Sequence, residues 1–109
     1  SFSLEDVVTH ILRNAQRHRR PVTPITLTLV QDDGRALVGI HNLGPAIPEP
    51  LLERIFDYGF SDAAGGQDAG RRGQGLFVVR TYMAKMGGAV RALNGEGGVR
   101  FELILPLER

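Results

Sequence analysis

The chain has no cysteine among its 109 residues, so it can build neither a disulfide framework nor thiolate chemistry. That absence fits a reducing compartment. No apolar run approaches the length a bilayer span needs, and the first residues carry no signal-peptide pattern. Excess charge is missing as well. Thirteen basic against 12 acidic side chains leave a formal net charge of +1, which gives bulk electrostatics no hold on nucleic acid. Internal repeats and low-complexity tracts are absent. What remains, 42% hydrophobic and 23% charged residues, describes an ordinary globular domain. This length supports one core without staples, so residues 1–109 read as a single domain. A start at Ser1, directly in helical pattern, reads as a segment of a longer protein. The basic residues are clustered: Arg13, Arg17, Arg19 and Arg20 in one place, Arg71 and Arg72 in another. A solvated helix end explains the first cluster about as well as an anion site does.

The periodicities give the order of elements. Leu4, Val7, Val8, Ile11, Leu12 and Ala15 make an apolar helical face, with Ser3 and Asp6 as a capping box at its start. Pro21 and Pro24 end that helix. Residues 25–30 are β-branched and alternating, hence a strand; Asp32-Asp33-Gly34 is a hairpin turn signal, and Ala36 to Ile40 returns. Pro48 and Glu49 open a short helix carrying Leu51, Leu52, Ile55 and Phe56. A polar, glycine-rich loop follows, then a helix from Gln74 to Met86 stopped by Gly87-Gly88. Ala89 to Leu93 and Val99 to Leu105 are two further strands around a turn at residues 94–98. The order α-ββ-α-loop-α-ββ predicts an α+β fold, a mixed, mostly antiparallel sheet with helices on one face.

Two stretches carry chemistry. Gly73-Gln74-Gly75-Leu76 opens the second long helix, and glycines at a helix start let backbone amides approach an anion that the helix dipole favours. Phosphate is the obvious candidate; a tight turn needing glycine is the equal alternative. In the first helix His10, Asn14, Arg17 and His18 fall at i, i+4, i+7 and i+8, all on one side. Asparagine is mildly unfavourable in a helix, so Asn14 needs an outside reason. Its amide oxygen is a neutral hard ligand suited to magnesium beside phosphate oxygens, which Arg17 would neutralise. An incidental asparagine on a polar helix face is the competing reading.

Five motifs in one order resemble a known family. Residues 11–18 resemble the N box of the GHKL ATPase/kinase superfamily in its sensor histidine kinase form. His41 to Pro48 is similar to the first glycine box, Leu52 to Asp57 to the F box, and Gly73 to Leu76, continuing to Val79 and Gly87-Gly88, to the second glycine box. Gly98 to Phe101, with Leu105-Pro106, resembles the last. The resemblance implies the Bergerat fold, a two-layer α/β sandwich that binds ATP. Asn14 would be the magnesium ligand, Arg17 and His18 would meet phosphate and ribose, and Asn42 would sit at the adenine end with Gly44, Ala46 and Ile47 of its box. Residues 59–73 would be a mobile ATP lid, anchored by Phe56 and Phe60, with Arg71 or Arg72 reaching the γ-phosphate. Gly73, Gly75 and Leu76 would border the phosphates, and Val99 the base.

The match has informative differences. The family carries aspartate where this chain has Asn42, glycine at Ala46 and threonine at Val99. Losing charge assistance to the base amino group costs roughly 1 kcal/mol, which implies weak ATP affinity or a relaxed base preference. Strand sequence that commonly precedes the N box is missing, so an exposed sheet edge is expected. The hydrolysing branch of the superfamily has a glutamate at position 10; His10 there favours transfer to another acceptor over hydrolysis. The resemblance thus implies a kinase domain that binds Mg-ATP and phosphorylates a histidine on a dimerisation helical hairpin of the same protein. A response-regulator aspartate would be next in line. The location implied is cytoplasmic, free or as the inner part of a membrane sensor, with no nucleic acid and no direct membrane contact by this segment. The alternatives are a GHKL ATPase and a non-catalytic interaction module.

Overall fold

The computed structural model describes residues 3–60 and 69–107, with the backbone alone for 69–74. Helix α1 runs Leu4–His18. Ser3 caps it, its Oγ accepting from the Asp6 amide at 3.2 Å, while Glu5 and Asp6 at one end and Arg17 and His18 at the other complement the helix dipole. Val7, Ile11 and Ala15, spaced by four, are its buried face. The helix ends where Arg19 turns extended, its amide still bonded to the Ala15 carbonyl, two residues before Pro21.

Strands β1 (Ile25–Asp32), β2 (Arg35–Leu43), β3 (Ala89–Gly95) and β4 (Gly98–Pro106) form one sheet in the order β1-β2-β4-β3. Every pairing is antiparallel, so the described sheet is wholly antiparallel where a mixed one was expected. The two hairpins turn on Asp33-Gly34 and Glu96-Gly97, all four residues at positive φ. Two-residue turns of that hand match the twist of the strands they join. The second turn is tighter than the five-residue one the sequence suggested, and both partner strands are correspondingly longer.

Side chains alternate across the sheet. Ile40, Phe101 and Leu103 point to the helical layer and meet Val7 and Ile11 of α1 and Val79 and Met83 of helix α2 (Ala69–Lys85). Two corrections concern helices. The segment after Pro48 forms two 3-10 turns, Glu49–Leu51 and Arg54–Phe56, instead of one short helix. The bonds here reach back three residues, from the Leu51 amide to the Pro48 carbonyl at 2.8 Å and from the Asp57 amide to the Arg54 carbonyl at 2.9 Å, so the segment makes two tight turns. Helix α2 begins at Ala69 rather than Gln74, which puts Gly73 and Gly75 inside its first turns. No proline or β-branched residue stands between Ala69 and Leu76, and extending a packed helix is easier than nucleating one. No helix of the described residues is long and apolar enough to cross a membrane.

The opposite sheet face carries a polar lattice. Glu102 on β4 accepts from Arg91 at 2.7 Å and from Arg100 at 3.0 Å, and Arg100 reaches across β2 to Thr28 on β1. Gly39 clears the path: a Cβ there would lie 2.2 Å from Arg100 Nη2. Burial alone would raise the Glu102 pKa, but the hydrogen bonds and charges of Arg91 and Arg100 outweigh it and hold the carboxyl below its ordinary value. A lowered carboxylate pKa stabilises the fold fully above the ordinary value of about 4.5, and that contribution is lost as pH falls through the folded-state value. Urea unfolding followed from pH 6 downward should therefore show an acid limb that Glu102→Gln flattens. An unchanged limb would mean the lattice is decorative. At the sheet edge, among the described residues, β1 pairs with β2 alone and leaves Leu27, Leu29 and Val30 exposed.

Candidate functional site

The cavity lies where the C-terminal half of α1 meets the ends of β2 and β4. Its volume, about 150 Å³, is roughly tenfold what one water requires, so it is sized for an organic ring system. Asn14, Arg17 and His18 line it from α1, Asn42 from β2, and Val99 and Phe101 from β4. Pro45, Ala46, Ile47 and Pro48 form one wall; Leu51, Ile55, Phe60 and Leu76 complete it. The arrangement is a mostly apolar slot with a cationic, hydrogen-bonding side supplied by one helix, the common design of ligand sites.

Local sequence explains each placement. The four-residue step from Asn14 to His18 brings both residues to the face that looks over the end of β2. Gly44, at φ 153°, lets the chain leave β2 against α1: a Cβ there would lie 2.8 Å from the His18 carbonyl oxygen. The Arg20 amide then donates to the Leu43 carbonyl at 2.7 Å, tying the end of α1 to the end of β2. Phe60 is held from outside, since Arg80 of α2 bonds Asp57 at 3.4 Å and Asp57 accepts from the Phe60 amide.

Asn42 is the one buried polar residue of the described chain, 2% exposed. Its Nδ2 donates to the Leu43 carbonyl at 3.2 Å. A second asparagine, Asn94 on β3, serves the cavity without entering it. Its Oδ1 accepts from the Ile47 amide at 2.9 Å and its Nδ2 donates to the Ile47 carbonyl at 2.7 Å, so one side chain pairs with a loop backbone as a neighbouring strand would. Asn94→Ala removes both bonds and should cost about 1–3 kcal/mol, read as a lower urea midpoint, and should weaken whatever ligand rests on the 45–48 wall. Equal midpoints for the two proteins would refute the clamp.

The expected site residues divide plainly. Asn14, Arg17, His18, Asn42, Ala46, Ile47, Phe60, Leu76 and Val99 meet at the cavity. Phe56 does not line it; it lies behind the wall, 4% exposed and edge-on to Phe101 with ring centroids 6.1 Å apart. His10 faces elsewhere, edge-on to Tyr82 of α2 at 6.5 Å. Burial and the nearby Arg13 charge lower its pKa, Asp6 opposing them, so the ring is biased toward its neutral form. The side chains of Arg71 and Arg72, and residues 61–68 of the expected lid, lie outside the described residues. Gly73 and Gly75 are in helix, as described above, with their amides inside its first turns rather than ahead of them. Pro45, Pro48, Leu51, Ile55, Phe101 and Asn94 were not anticipated at the site.

Comparison with known proteins gives the family and the fold. The family model for the histidine kinase-, DNA gyrase B-, and HSP90-like ATPase matches residues 1–109. The chain is 35% identical over 102 residues to the sensor protein CzcS of Cupriavidus metallidurans, covering 92% of this chain and 21% of that protein. The chain thus spans about a fifth of the length of the curated relatives it matches. Among solved structures it is similar to the mycobacterial sensor histidine kinase MprB, with TM-score 0.81, 28% identity and coverage of 93% of this chain and 68% of that one. It is also similar to full-length ShkA in complex with AMPPNP, with TM-score 0.76, 28% identity and coverage of 94% and 21%.

Proposed function

Because the chain belongs to the histidine kinase-, DNA gyrase B-, and HSP90-like ATPase family, we propose that it binds Mg-ATP and donates the γ-phosphoryl group to a histidine on a separate dimerisation domain. The observation that carries this reading is the convergence of Asn14, Arg17 and His18 of α1 with Asn42 of β2 on one ring-sized apolar cavity. The purine would lie against the 45–48 wall near Asn42 and Val99, with the phosphates running toward Asn14 and Arg17. A full-length relative in complex with AMPPNP, ShkA, supports the choice of ligand.

The donor set fits magnesium. Among the described residues no three His, Asp or Glu side chains gather as a metal site, so the protein would not cage the ion. A single neutral amide oxygen suits an ion that keeps waters and shares phosphate oxygens. Bound there, magnesium would align and neutralise the phosphates. Arg17 would add a fixed positive charge on the same side. An imidazole nitrogen of the acceptor would attack the γ-phosphorus; the N–P bond forms as the bond to the bridging oxygen breaks, and ADP leaves.

Hydrolysis is the weaker alternative. Among the described residues no carboxylate lines the cavity, and His10 turns away from it toward Tyr82. Labelled ATP mixed with this chain and a dimeric helical hairpin bearing the acceptor histidine should yield acid-labile phosphohistidine, with little free phosphate from the chain alone. Steady phosphate release without the hairpin would instead favour an ATPase. A response-regulator aspartate would be the next acceptor, and the cytoplasm the setting.

A further inference from the structure

We propose that Arg13, Arg19 and Arg20, which flank the cavity without lining it, steer anionic nucleotides toward it, an inference that rests on the nucleotide-binding reading above. Arg13 stands four residues before Arg17, hence one turn back on the same side of α1 and about 6 Å along the helix axis. Arg19 and Arg20 directly follow His18, which lines the cavity with Arg17. The Arg20 amide is bonded to the Leu43 carbonyl at 2.7 Å, one residue from Asn42 at the cavity. The basic cluster therefore sits at the cavity and not at a remote helix end.

Its charge is not cancelled within the fold. Among the described residues Arg80 pairs with Asp57, and Arg91 and Arg100 pair with Glu102, but no carboxylate pairs with Arg13, Arg17, Arg19 or Arg20. Arg19 donates to the Thr23 carbonyl, a neutral partner that leaves its charge in place. Arg13 and Arg20 are exposed. The C-terminal end of the helix dipole offsets only about half an elementary charge. Two carboxylates border the other walls: Glu49 follows Pro48, and Glu96 precedes Gly97, whose carbonyl accepts from the Gly44 amide. They leave the arginines in excess. A cleft bordered by one sign of charge raises the local concentration of oppositely charged ligand and its association rate. The field acts over a Debye length, about 8 Å at 0.15 M ionic strength and about 30 Å at 0.01 M. Charges that flank a site change the association rate, whereas a contact made in the bound state, as proposed for Arg17, changes dissociation.

Stopped-flow binding of Mg-ATP carrying a small fluorophore on the ribose, measured across ionic strength for this chain and for Arg13→Gln/Arg20→Gln, tests the idea. The association rate constant of the variant should be lower by about fivefold at 0.01 M and about twofold at 0.15 M. Its dissociation rate constant should match that of the native chain. Arg13→Lys/Arg20→Lys should associate at the native rate, because steering needs the charge and not the guanidinium fork. Native-like association of the glutamine variant at low salt would overturn the proposal and leave the nucleotide site standing. So would a loss that is independent of salt or that lies in dissociation. If the folded native chain bound no nucleotide, the nucleotide reading itself would fall, and the proposal with it.

Discussion

Asn14→Ala should sharply weaken magnesium-dependent nucleotide binding and at the same time leave the chain slightly more stable. The two effects come from different places. Asparagine inside a helix costs roughly 0.5 kcal/mol against alanine, because its amide competes for backbone groups. Asn14 is half-buried on the cavity side of α1, outside the packed face of Val7, Ile11 and Ala15. Removing it relieves the helix and deletes the only neutral amide oxygen that α1 offers the ligand. Magnesium-linked affinity should drop by about a hundredfold, at the upper end of what losing a metal-site partner costs, while the urea midpoint rises by a small increment. Calorimetry with ADP, with and without magnesium, beside urea unfolding of both proteins, reads both signs in one sample set. A variant that kept its magnesium dependence would remove Asn14 from the site, and the kinase reading would lose its metal ligand.

Phe101→Ala should produce the largest loss of stability. Phe101 is 1% exposed, meets Phe56 edge-on, and belongs both to the core and to the cavity wall. Truncating a buried phenylalanine costs about 3–5 kcal/mol, a large share of the roughly 5–15 kcal/mol that holds a domain together. Because the void opens onto the cavity, the wall under the ligand is lost as well, so ADP should bind more weakly and restore less of the midpoint than it does in the native chain. Urea melts with and without ADP would show both. A cost below about 1 kcal/mol would mean that the site collapses around the gap and that Phe101 is no keystone.

Local patterns made most of the architecture legible. The Ser3 cap, the four-residue spacing of Val7, Ile11 and Ala15, and the Asp33-Gly34 turn are all written within a few residues of where they act. The polar contributors from α1 were legible for the same reason, since helical spacing alone puts Asn14, Arg17 and His18 on one side. His10 shares that side but sits two turns from His18, where Tyr82 of α2 packs against it, and helical spacing says nothing of a neighbouring helix. Asn94 reads as a turn residue until the fold brings it to Ile47, 47 positions away. The apolar lining residues Pro45, Leu51, Ile55 and Phe101 carry no chemical signal; only closure of the cavity turns a core or loop residue into a binding wall. The apolar spacing of Leu51, Leu52, Ile55 and Phe56 suited a single helix, and no local signal marked the break within Glu49–Phe56.

The edge strand matters beyond nucleotide chemistry. Residues 25–30 of β1 are β-branched or leucine, uncharged and free of proline, which is the profile of segments that stack into fibrils. Interior strands of such composition are shielded by neighbours on both sides, whereas among the described residues β1 has a strand neighbour on one side alone and carries Leu29, 71% exposed. Among the described residues the aggregation hazard therefore falls on this hairpin, on the far side of β2 from β3 and β4. A single gatekeeping charge in place of Leu29 would improve behaviour in concentrated solution without touching a residue that lines the cavity.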